Sequence, residues 1–168
     1  MIRGLLRKFF GARRALRSKG PAPHAAPHDP RAAADPWLGS ILAQLGDRYR
    51  LGEDGADGTR ILRRTGRERF NPMQVWLRSA ERLVVGEYEV RAHGDPSVAL
   101  AQARALLDAR LSGPLAKLGL APDREAVEEW GGQVLIRRYQ GRLEDAAQAA
   151  AAVQFICHSD QIIDTNAE

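Results

Sequence analysis

Five of the chain's nine prolines fall between residues 20 and 36. A stretch so punctuated cannot continue as regular helix or strand, because each proline fixes φ and removes a backbone donor. It reads as a semi-extended Pro/Ala linker dividing the chain into an arm, residues 1–19, and a compact domain, residues 37–168. Charge divides at the same place. Residues 1–20 carry Arg3, Arg7, Lys8, Arg13, Arg14, Arg17 and Lys19 and no acid. Residues 21–36 set Arg31 against Asp29 and Asp35, so within a whole-chain charge of +4 the residues from 37 onward net −2. The basic excess belongs to the arm, whereas a DNA-binding domain carries it on the folded part, where it tracks phosphates.

In the arm, Ile2, Leu5, Leu6, Phe9, Phe10, Ala12 and Leu16 recur at spacings that gather them in one sector of a helix, with Arg3, Arg7 and Arg14 opposite and Lys8 at the edge. Arg13 and Arg17 project at the boundary, where their stems can snorkel. This is the pattern of a basic amphipathic helix, with Leu5, Leu6, Arg7, Phe9, Phe10, Arg13 and Arg14 as the residues expected to meet a partner or an anionic membrane surface. A solvated tail is the plainer alternative, since a helix of this length is marginal alone in water. Arg7 and Lys8 interrupt the apolar run, which argues against a secretory signal, and the Arg-rich, acid-free composition also suits an organelle import sequence.

With 44% hydrophobic and 27% charged residues the chain has an ordinary globular balance. Asp35-Pro36 and Asp95-Pro96 each offer a cap followed by a first-turn proline, and helices are expected after both. The first carries Trp37, Leu38, Ile41, Leu42 and Leu45 and closes at Gly46; the second is expected to end at Gly113-Pro114, with Leu115–Leu120 adding a last turn or two. Between them Tyr49–Leu51, Thr59–Arg64, Met73–Arg78 and Leu83–Arg91 read as strands. In the last, Val84, Tyr88 and Val90 take one face and Glu87 and Glu89 the other, so one side of the sheet should be wet. Pro122–Trp130 reads as a short helix, Gln133–Tyr139 as a strand, and Leu143–Ile163 as a final Ala-rich helix. The class is α+β, a mainly antiparallel sheet of about four or five strands packed by helices.

No arrangement rises to a catalytic signature, and the expectation is a non-enzyme without a cofactor or metal. The single cysteine, Cys157, excludes an internal disulfide or a Cys-rich zinc site and favours a reducing compartment. Cys157 and His158 diverge by about 100° on a helix and cannot act as nucleophile and base; Cys157 is expected in the core and His158 at the surface. His24 and His28 lie among prolines, so their spacing does not converge on a metal. The Gly-rich acidic stretch 52–58 lacks the ligand offsets of a calcium loop and reads as a turn between strands. Asp123, Glu125, Glu128 and Glu129 read as a solvated helix face, able to pair with basic residues elsewhere. Arg60, Arg63, Arg64, Arg67 and Arg69 form a possible patch for an anionic partner, with only Phe70 as a nearby aromatic.

The order of elements over residues 37–164 resembles that of the type III secretion chaperone-like fold. That resemblance implies a protein binder working across a curved sheet and commonly dimeric. The expected function is a non-enzymatic interaction module or accessory subunit, tethered through its arm to a membrane surface or larger assembly. Alternatives are a secretion-chaperone-like binder, and a nucleic-acid-associated protein using the arm and the Arg60–Arg69 cluster. A protein partner or complex is the main expected partner, with an anionic membrane surface, a homodimer and, less favoured, nucleic acid beside it. The expected location is cytoplasmic or peripheral on the inner face of a membrane, with organelle import as the other outcome.

Overall fold

A computed structural model describes residues 29–55, 58–63, 75–129 and 132–165. The arm residues Leu5, Leu6, Arg7, Phe9, Phe10, Arg13 and Arg14 lie outside these, as do His24, His28, Arg64, Arg67, Arg69 and Phe70. The first described residue, Asp29, caps a short helix α1, Pro30–Ala34, with its carboxylate. The stretch read as a linker through residue 36 thus ends in a helix, held because the Arg31 guanidinium donates to the Gly52 carbonyl at 2.8 Å. Helix α2, Pro36–Leu45, starts as the sequence predicts: the Asp35 carboxylate accepts from Trp37 N at 2.9 Å and Leu38 N at 3.3 Å, satisfying two otherwise orphaned donors. Gly46, at φ 72°, ends it. Gly39 lets α1 lie on α2, since a Cβ there would sit 2.7 Å from the Ala32 carbonyl oxygen.

Seven strands follow: β1 Tyr49–Gly55, β2 Gly58–Arg63, β3 Val75–Arg78, β4 Leu83–Ala92, β5 Ala121–Glu129, β6 Gln133–Arg142 and β7 Ile162–Asp164. They form one sheet in the order β1-β2-β3-β4-β6-β5, antiparallel throughout, with β7 added parallel to β4. Helices α3, Pro96–Leu107, and α4, Gly113–Lys117, precede β5, and α5, Ala146–His158, follows β6. The α+β class stands, with two strands more than the upper expectation.

Three expectations are corrected. Residues 121–129 form an edge strand instead of a helix, because β6 offers its free backbone groups along almost the whole length. Pro122 is tolerated there because an edge strand can leave one side unpaired. The helix from Pro96 does not stop at Gly113-Pro114. A π turn over Asp108–Ser112 joins α3 to α4, and this wider turn shifts the carbonyl that the Pro114 ring would otherwise strike. The last helix stops at His158 instead of Ile163. Ser159 caps it in extended geometry, and Ile162–Asp164 pair with Glu89–Arg91. Gln161 fastens that return: its backbone carbonyl accepts from Glu89 N at 2.7 Å and its side-chain amide donates to the Glu87 carbonyl at 2.8 Å.

The helices contribute Trp37, Ile41, Ala103, Leu107, Leu115, Ala149, Val153 and Ile156 to a single core with Ile61, Val75, Leu77, Val84, Tyr88, Val90, Leu135 and Tyr139 of the sheet. Fully burying one such large side chain contributes roughly 1.5–3 kcal/mol. The alanines of α5 permit close approach. Gly86 sits under that helix, where a Cβ would lie 2.7 Å from Ile156 Cδ1. Tyr88 and Tyr139 meet edge to face at 5.8 Å and 89°. The Ser159 hydroxyl gives its one proton to the Ile156 carbonyl at 2.9 Å, so the Tyr88 hydroxyl is the donor in the 2.7 Å bond between them.

Candidate partner-binding face

Strand register fixes which side chains share each face of the sheet. Arg60 pairs with Trp76, Trp76 with Val85, Val85 with Gln140, and Glu87 with Arg138. Their neighbours in sequence, Ile61, Val75, Leu77, Val84, Tyr88 and Tyr139, belong to the core. The first set therefore occupies the opposite, outer face, together with Arg78, Leu83, Glu89 and Ile136. The wet side expected from Glu87 and Glu89 is this face. No described helix contributes to it: Val85 and Val134 are buried there yet stand outside the core cluster that all the long helices join.

Trp76 is the centre of this face. It lies directly opposite Val85, which is only 1% exposed. Arg138 reaches back from β6 so that its guanidinium carbon stands 5.8 Å from the Trp76 ring centroid, while its Nη2 pairs with Glu87 at 3.2 Å. A planar cation held over an indole in this way rigidifies both groups. From the other side Arg60 approaches, half-buried, with its Nε shut from solvent and without a hydrogen-bond acceptor among the described residues. Arg63, paired with Tyr49, occupies a β2 position of opposite parity to Arg60, as strand alternation predicts, and Arg64, Arg67 and Arg69 lie outside the described residues.

The aromatic that sequence reading found missing beside the arginines is Trp76. No local signal could have supplied it, because the pairing of β2 with β3 creates the neighbourhood.

A second polar assembly lies on the helix side. Arg137, 7% exposed, donates through Nη1 to Asp108 at 2.6 Å and through Nε and Nη2 to one oxygen of Glu125 at 3.0 and 2.8 Å. The other Glu125 oxygen accepts from Arg104 Nε at 2.8 Å. Burial alone would push the Glu125 carboxyl up, but the bonds from Arg104 and Arg137 outweigh it and hold it below the usual glutamate range. Burial likewise works against the Arg137 charge, and the surrounding Tyr139, Glu125 and Asp108 overturn it, keeping the guanidinium protonated. This network joins α3, the π turn, β5 and β6. The acidic run 123–129 thus contributes one structural carboxylate, paired with basic residues elsewhere as expected, but from a strand instead of a helix.

Cys157 is buried in the core, and His158 is exposed, donating from Nδ1 to the Gln154 carbonyl at 2.7 Å. Burial pushes the Tyr88 hydroxyl up to about 12, so it remains a neutral donor to Ser159. Among the described residues no three His, Cys, Asp or Glu side chains converge as metal ligands, and no helix is long and apolar enough to cross a membrane. No protein-family model, curated protein or solved structure matches the chain. The class it can be given is the one its fold defines, an α+β domain built on a mostly antiparallel sheet with helices on one face.

Proposed function

We propose that this protein is a non-enzymatic interaction module or accessory subunit whose domain meets a protein partner across the outer face of the sheet. Its basic arm serves as the tether to an anionic membrane face or to a larger assembly. The observation that carries the reading is the one-sided layering: the helices cover one face, and the other presents Trp76 framed by Arg60 and Arg138. Tryptophan and arginine are the side chains that most often dominate interface energetics. A sheet face bearing them that no described helix covers is a site where a partner can supply the missing layer.

The reading is tested by recovering native partners with the full chain, with Trp76→Ala, and with the arm changed at Phe9 and Phe10 to Ala. Loss of a partner on Trp76→Ala, with the melting transition kept cooperative, supports the face as the docking surface. Phe9 and Phe10 changes should reduce co-sedimentation with anionic vesicles more than Arg3→Gln with Arg7→Gln. Two buried phenylalanines contribute a few kcal/mol, against about 1 kcal/mol for each screened charge. Retention of every partner by Trp76→Ala contradicts the proposal.

A further inference from the structure

The occupant of the outer face can be named by its chemistry, an inference that rests on the docking reading above. We infer that it is an acidic segment of a partner protein, presenting a carboxylate to Arg60 and an apolar side chain beside Trp76. Arg60 is the residue that points there. Arg31, Arg82, Arg137 and Arg138 each meet a carboxylate, at 2.8, 3.0, 2.6 and 3.2 Å. Arg60 is half-buried like Arg31, Arg82 and Arg138, yet its Nε is closed to solvent with no acceptor among the described residues. The terminal nitrogens of Arg60 are not closed off in this way and meet no carboxylate among the described residues, so an arriving anion can meet the charge there. The guanidinium fork matches a carboxylate through two parallel bonds, which an ammonium cannot do.

The surroundings select among anions. Arg78 and Arg142 border the same end of the face, paired with Glu81 at 3.6 Å and Glu144 at 2.8 Å, both outside the Arg60–Trp76 pair. Glu87 and Glu89 follow along β4 on the same face. A peptide can set one carboxylate on Arg60 and pass those acids with neutral or apolar residues. A nucleic-acid strand brings a phosphate at every nucleotide and meets them. Trp76 is the aromatic of this face among the described residues, and Arg138 already engages its ring, whereas single-stranded nucleic acid uses successive aromatic platforms.

The test uses the full chain and fluorescence anisotropy with three labelled probes: a peptide alternating Glu and Leu, its counterpart alternating Gln and Leu, and a single-stranded oligothymidylate. The Glu–Leu peptide should bind, and Arg60→Gln should weaken it by about tenfold or more, with Arg60→Lys between the two because it keeps the charge and loses the fork. The arm is common to all three chains, so the difference between them reports Arg60. The Gln–Leu peptide should lose affinity by a similar factor. Arg60→Gln should melt at or above the unaltered protein, since the donor it removes had no partner; should it fail to fold, Arg60→Lys carries the comparison. Equal binding by Arg60→Gln, equal binding of the Gln–Leu peptide, or a displacement of the Glu–Leu peptide by the oligothymidylate that Arg60→Gln weakens, overturns the inference. If Trp76→Ala loses native partners while Arg60→Gln keeps them, the docking face stands and the acidic occupant falls. If Trp76→Ala keeps them as well, the docking reading has failed.

Discussion

Glu125→Ala should damage the domain more than a position on an edge strand suggests. The carboxylate accepts three bonds, one from Arg104 and two from Arg137, and its loss leaves a nearly buried guanidinium with Asp108 as its remaining acid. Breaking a buried ion pair from one side typically costs about 3–5 kcal/mol. Here the side chain of Glu125 is 30% exposed and that of Asp108 60% exposed, so water softens the penalty. About 2 kcal/mol is the working figure after that discount. For a domain of this size that lowers the melting temperature by about 6 °C. In an Arg137→Met background the same change should cost less than about 1 kcal/mol, because no buried charge is then stranded.

The effect also carries a pH signature. Glu125 is held below its unfolded value, so its stabilisation is fully present above that value, 4.5, and is lost as pH falls through the lower folded-state value. The gap between the unaltered protein and Glu125→Ala should therefore close in acid, with Arg137 charged throughout. Urea melts of the four chains across the acid range measure this. Additive single effects, or a gap that persists at the lowest pH, would refute the reasoning.

Two further outcomes follow from backbone geometry and from the contacts of α1. Gly141→Ala would drive its Cβ into the Gly119 backbone carbonyl, which cannot move aside as a side chain can; a loss of about 3 kcal/mol or more by urea melting is expected. A chain starting at Asp29 should melt within about 2 °C of the full protein, whereas one starting at Asp35 loses α1 and the Arg31 bond to Gly52 and should fall measurably below it by differential scanning calorimetry.

The parts of this fold legible in the sequence are those with local causes. Asp35-Pro36 and Asp95-Pro96 mark helix starts because a carboxylate cap and a fixed φ act within one turn. The alternation of Val84, Tyr88 and Val90 with Glu87 and Glu89 gave both faces of β4, since each side chain reports its own environment. What escaped depends on distant partners. The Glu-rich residues of β5 suit an exposed helix equally well and become a strand by pairing with β6. The turn at Ser159-Asp160 is short, and the strand after it is held by β4 and by Gln161. The neighbourhood of Arg60, Trp76 and Arg138 draws on three strands, so neither charge runs nor aromatic counts could reveal it.

The central claim is that partners meet the outer face of the sheet and not the helical side. A photo-crosslinking residue placed at Gln140, half-buried beside Val85 on that face, and another at Val98, 54% exposed on α3, compare the two sides directly in the native source. The account predicts one discrete adduct from position 140, lost when Trp76→Ala is added, and none from position 98. An adduct from position 98 alone would contradict it.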